Sequence, residues 1–119
     1  WIVSNKNKKI HGFENVIYSG VTTLWMSKTV VKILKEFPGL SGIYNISSEP
    51  ISKFDLISKI NNRFGLNIDI EADHSFFSNK SLNSSKFFLK TKLEKPNWDK
   101  MLLSLYNDSI KNNNIYNLI

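Results

Sequence analysis

The first residues to weigh as chemistry lie in Asn79-Lys80-Ser81-Leu82-Asn83-Ser84, where a lysine precedes hydroxyl and amide side chains ahead of a possible helix start. An ammonium with short donors beside it can hold a phosphate. A solvated surface lysine is the competing reading. Asp69, Glu71 and Asp73 with His74 could be imagined as a metal cluster, yet carboxylates alternating along a strand ordinarily form its wet face. His74 also has no second ligand at metal spacing. His11, ahead of Gly12, reads as a surface residue. Between Lys86 and Trp98, Phe87 and Phe88 are interleaved with Lys90, Lys92 and Lys95, a pattern that could stack single-stranded nucleic acid. Phe87 and Phe88 read better as core anchors, and Trp98 falls on the apolar stripe of a helix.

Several chemistries are excluded within the chain. A dinucleotide or Walker loop needs clustered glycines between a strand and a helix. The glycines stand dispersed at 12, 20, 39, 42 and 65. No G-x-S-x-G elbow is present, and with no cysteine there is no thiolate nucleophile, disulfide or Cys-ligated zinc. The absence of cysteine fits a cytoplasmic site. The net charge of +6 is carried by lysine, with Arg63 the lone arginine, so the forked contacts typical of specific base reading are missing. The charge therefore argues little for nucleic acid. No apolar run approaches the roughly 20 residues of a transmembrane helix.

These residues need elements to position them. At 119 residues and 41% hydrophobic, with eight Phe, three Trp and four Tyr, the chain can bury one core and is too apolar to be disordered. Abundant Asn, Ser, Lys and Ile with Ala72 as the sole alanine suggest an AT-rich bacterial source. Trp1-Ile2-Val3 reads as the apolar end of an element whose start lies upstream, so the chain is expected to be a piece of a longer one.

Ile10–Tyr18 reads as extended. Thr22 caps a helix to about Phe37, with Met26, Val30, Ile33 and Phe37 on one face and Lys28, Lys32 and Lys35 opposite, stopped by Pro38-Gly39. Gly42–Ser47 is apolar on nearly every position, as a strand buried on both faces of a parallel sheet would be. Ser52 as N-cap, Asp55 three residues on, Ile51 with Leu56 as a staple, and Gly65 as a left-handed cap bound a second helix. Ile68, Ile70 and Ala72 alternate with acids as a half-exposed strand. Ser75–Lys95 reads as irregular, with a short helix near Asn83–Leu89. Pro96-Asn97 opens a last helix with Trp98, Met101, Leu102 and Leu105 on one face, and the tail frays from Asn112. No repeat or linker appears. The alternation of strands and helices means α/β.

Five segments in order then resemble one family: Asn15–Leu24, Gly42–Ser47, Ile51–Ile57, Lys80–Ser84 and Pro96–Leu102. They look like the C-terminal part of dTDP-4-dehydrorhamnose reductase-like sugar-nucleotide reductases, among the extended short-chain dehydrogenase/reductases. The resemblance covers nearly the whole chain. It implies an α/β substrate-binding portion, residues 1–119 as one domain or fragment, with a late Rossmann-sheet strand at Gly42–Ser47, about three main helices and short extra strands. The N-terminal Rossmann half that binds NAD(P) is absent.

It further implies that Lys80, Ser81, Leu82 and Asn83 bind the nucleoside-diphosphate sugar, Lys80 standing where the family often has arginine. Thr22 and Thr23 match a turn where their role is capping. The parent would reduce a nucleoside-diphosphate 4-keto sugar in bacterial surface polysaccharide synthesis, as a cytoplasmic enzyme and a possible homo-oligomer, with neither nucleic acid nor membrane as partner. The family's catalytic Tyr-x-x-x-Lys is missing: Tyr18, Tyr44 and Tyr106 are followed at that offset by Thr22, Ser48 and Ile110. This chain alone is therefore expected to bind no cofactor or metal and to carry no catalytic residue. The alternative is a non-catalytic binding module that retains the same fold.

Overall fold

A computed structural model describes residues 1–116. The α/β expectation holds: five helices and five short strands form two small sheets. After a single 3-10 turn, Val3–Asn5, come β1 (Lys9–Phe13), β2 (Val16–Tyr18), α1 (Thr23–Glu36), β3 (Ile51–Ser52), α2 (Lys53–Phe64), β4 (Asp69–Asp73) and β5 (Ser78–Lys80). The chain continues through α3 (Ser85–Thr91), α4 (Trp98–Lys111) and α5 (Asn113–Tyr116). Strand β1 pairs parallel with β4, and β2 sits between antiparallel β3 and parallel β5.

The helix ends follow their local chemistry. Thr22 Oγ1 accepts from the Trp25 amide at 3.3 Å, and Asn97 Oδ1 accepts from Asp99 and Lys100. Ser52 Oγ accepts from the Asp55 amide at 2.9 Å, Ile51 and Leu56 pack together, and Gly65 closes α2 with φ of 60°. Such caps satisfy amides and carbonyls that a helix leaves without internal partners. Helix α2 then bridges two cores. Ile57 joins Ile10, Leu66 and Ile68, while Leu56 lies against Ile51, Trp98 and Met101. It also crosses β1 closely, since a Cβ at Gly12 would press on Phe54 backbone and on Ile70.

Five expectations are corrected. Gly42–Ser47 is not a strand and is not buried on both faces: it runs without a sheet partner, with Ile43 87% exposed. A strand is a pairing, and the described residues offer this segment no neighbouring strand. The extended segment 10–18 breaks at Glu14-Asn15 into strands of separate sheets. Within the expected irregular stretch, Ser78–Lys80 forms β5 through its pairing with β2. The tail expected to fray from Asn112 continues as the short helix α5 to Tyr116, and residues 117–119 lie outside the described residues. On α1 the exposed face is not only lysine, for Val30, Val31 and Leu34 are exposed too.

Candidate sugar-nucleotide site

Lys80 ends β5, directly opposite Tyr18 of β2. Beyond it the chain turns sharply: Asn79 Oδ1 accepts from both the amide and the hydroxyl of Ser81, at 3.0 and 2.7 Å. The next residues are fixed by buried serines. Ser19 Oγ accepts from the Leu82 amide at 2.8 Å, and Ser47 Oγ donates to the Leu82 carbonyl at 3.0 Å while lying 3.0 Å from Ser84 Oγ. Ser48 donates its amide to the Ser19 carbonyl and its hydroxyl to the Gly20 carbonyl. Asn45 Nδ2 reaches the Asn83 carbonyl at 3.4 Å. Ser19, Ser47, Ser48 and Ser84 are all buried, so hydroxyls in a low-dielectric setting clasp the three segments.

The clasp leaves the motif's side chains outward. Lys80, Leu82 and Asn83 are exposed and Ser81 is half-buried. The four predicted residues thus stand together on one turn. Lys80 lines a cleft of about 360 Å³ with Val16, Ile17, Tyr18, Lys53 and Leu56. The Tyr18 ring folds back over Gly20, where a Cβ would collide with the ring and hydroxyl. Lys53 and Tyr18 carried no signal of their own in sequence, because only the β3-β2-β5 order brings them beside Lys80.

Other candidates are placed differently. Phe87 is buried and Phe88 half-buried, with rings 5.1 Å apart, and Trp98 is buried with Nε1 donating to the Glu49 carbonyl. These rings are core, not stacking platforms. Glu71 faces Lys9 at 3.0 Å and His11 at 3.9 Å, while His74 turns to Glu14 at 3.4 Å. Lys9 lowers the Glu71 pKa, chiefly by hydrogen bonding, and Glu71 raises that of Lys9. Hydrogen bonds from Ser75 hold the Asp73 carboxyl below its ordinary value. Among the described residues no three His, Asp or Glu side chains group as a metal site. No described helix is long and apolar enough to cross a membrane. Of the glycines, Gly12 is inside β1, the space above Gly20 holds Tyr18, and Gly65 caps a helix C-terminus.

No family model matches the chain, and no curated protein matches it. Solved structures do match in fold. A dTDP-4-dehydrorhamnose reductase from Bacillus anthracis, in complex with NADP, superposes with a TM-score of 0.75 at 15% identity, covering 91% of this chain and 42% of that one. A dTDP-4-dehydrorhamnose reductase from Clostridium acetobutylicum gives 0.72 at 13% identity over 92% and 41%. A UDP-N-acetylglucosamine 4-epimerase from Bacillus cereus gives 0.64 at 20% over 88% and 36%. The chain therefore has the fold of part of these Rossmann-like short-chain dehydrogenase/reductase enzymes and spans less than half their length.

Proposed function

We propose that this chain is the C-terminal, sugar-nucleotide-binding portion, residues 1–119, of an NAD(P)-dependent reductase acting on nucleoside-diphosphate 4-keto sugars. Its setting is the cytoplasmic synthesis of bacterial surface polysaccharide. The observation that carries the reading is the fold shared with two dTDP-4-dehydrorhamnose reductases over nine-tenths of this chain. The order of the five sequence segments supports it independently. In this reading Lys80 meets the diphosphate, and Ser81, Leu82 and Asn83 follow it on the turn that the serine clasp holds and contact the ligand from there. The cofactor supplies the hydride when bound, and it belongs to the other half of the enzyme, together with the proton donor.

The surface for that other half includes the exposed apolar face of α1 formed by Val30, Val31 and Leu34, and Ile43 is exposed as well. Supporting this, the chain exposes 7835 Å², whereas a compact 13.8 kDa monomer exposes about 6,600 Å². Its radius of gyration of 16.2 Å also exceeds the roughly 13.5 Å of a compact domain this long. An excess on the order of 1,000 Å² is what one inter-domain interface covers.

The test joins the chain to its NAD(P)-binding half and follows nicotinamide absorbance with a dTDP-4-keto sugar. Turnover is expected from the joined protein and none from the 119-residue chain. Nucleotide-sugar binding without turnover by the joined protein would instead establish the non-catalytic module. In that protein Lys80→Ala should weaken nucleotide-sugar binding about tenfold, leaving cofactor affinity and the Lys32→Ala control unchanged.

A further inference from the structure

We infer that Lys53 is a second anion-binding cation of the Lys80 cleft, so that the cleft receives a nucleoside diphosphate between two ammonium groups. The inference rests on the reading of Lys80 as a diphosphate contact.

It begins with the sheet. Tyr18 of the central strand pairs with Ile51 on one side and Lys80 on the other, and Ile17 pairs with Ser52. Lys53 is the residue immediately after β3. The two lysines therefore rise from opposite outer strands and line the same cleft. Outer strands of a three-stranded sheet lie roughly 10 Å apart, within reach of two flexible four-carbon stems converging on linked phosphates.

Lys53 is not where helix electrostatics would put a cation. It is the first residue of α2, at the end that carries partial positive charge, where an anion is the stabilising choice. Among the described residues no carboxylate lies within ion-pair distance of Lys53 or Lys80, whereas Lys59, Lys95 and Lys100 each have one. A bound dianion would give both ammonium groups a partner at once. The Lys53 ammonium is held instead by the rings of Phe13 and Trp1, 5.7 and 6.0 Å from their centroids. That contact leaves its charge uncompensated by any acid.

Between the lysines the cleft is apolar, floored by Val16, Ile17 and Leu56 and walled by Tyr18. A ligand that satisfies both parts has a planar or apolar group joined to a compact dianion. A nucleoside diphosphate has that form. Pyrophosphate alone would satisfy only the charges.

The test takes the protein joined to its NAD(P)-binding half, saturated with its nicotinamide cofactor, and titrates it calorimetrically with thymidine diphosphate and, separately, with pyrophosphate. Lys53→Met, Lys80→Met and Lys53→Arg are compared with the control Lys32→Met, and thermal midpoints are measured alongside. Lys53→Met and Lys80→Met should each weaken thymidine diphosphate binding about fivefold or more, Lys53→Arg should restore it, and Lys32→Met should change it less than twofold. Pyrophosphate should bind more weakly than thymidine diphosphate. A loss confined to Lys80→Met would overturn the role of Lys53 and leave the Lys80 reading in place. A loss confined to Lys53→Met would overturn the Lys80 reading and, with it, the paired site. Equal affinities for both probes would overturn the apolar half of the cleft, and no saturable binding at millimolar ligand would overturn the site altogether.

Discussion

The half of the molecule built on β1, β4 and α2 and the half built on α1, residues 42–48 and the Lys80 turn are held together by different means. In the first, Ile10, Ile57, Leu66 and Ile68 are buried against one another, with Ile2, Val3, Ile60, Phe64 and Ile70 packed around them. Asn61 completes it by bonding both the amide and the carbonyl of Ile68 at 3.0 Å. In the second, serine hydroxyls do the joining, and Leu34, 72% exposed, stands with Ile43 in solvent. One half has a core of its own. The other sets Val21 and Trp25 against the Ile51, Trp98 and Met101 core, fixes its loops through the polar clasp, and leaves Val30, Val31, Leu34 and Ile43 exposed.

That contrast can be broken by substitution. Ile57→Ala should lower unfolding stability by about 2–5 kcal/mol, because a filled site in a sealed core cannot close over the loss. Leu34→Ala should change it by less than about 0.5 kcal/mol. Comparable losses in denaturant unfolding would show that α1 is already covered in solution. Next in size, Ser47→Ala should cost about 1–3 kcal/mol, since the Leu82 carbonyl and Ser84 hydroxyl lose their buried partner. Ser27→Ala, whose hydroxyl bond is exposed, is the control. If the two alanine variants melt together, the clasp does not hold the second half.

Ser52→Ala, at the joint between the halves, should cost about 1 kcal/mol through loss of the Asp55 amide's acceptor. An unchanged thermal midpoint would mean that α2 begins elsewhere. The smallest effect concerns Asp73. Its folded pKa lies below its ordinary value, so its stabilisation of the Ser75 turn is present at neutral pH and lost as pH falls through that lowered value. The Ser75 amide resonance should move with the Asp73 titration. An amide that stays put while the carboxyl titrates would remove the contact.

The same division governs what could be read from sequence. Helix α2 was legible from end to end because Ser52, Asp55, the Ile51 and Leu56 staple and Gly65 act within a few residues of one another. The 42–47 segment was misread because β-branched apolar residues state a preference for pairing but not where the partner is. Strand β5 was missed for the converse reason: Ser-Asn-Lys has no strand preference, and β2 imposes the conformation. At the candidate site, Lys80 stood out by the hydroxyl and amide residues that follow it, and resemblance to a family extended the reading to Ser81, Leu82 and Asn83. Ser19, Ser47 and Ser84 did not stand out, because a serine in a serine-rich chain gives no sign of being buried until its partner hydroxyl is brought beside it in space.

The parallel pairings carry a kinetic consequence. Strand β1 finds β4, and β2 finds β5, only after α1 and α2 have passed between them in the chain. During synthesis β1 must therefore leave the ribosome and wait for β4, while β2, whose partner β3 comes sooner, keeps one edge open until β5 follows. Loop closure is spent before these contacts form, so folding should be slow for the chain's length. Until β5 arrives the open edge of β2 is presented to any sticky neighbour, the valines and leucine of α1 stay exposed even afterwards, and overexpression in isolation should favour inclusion bodies over the native sheet.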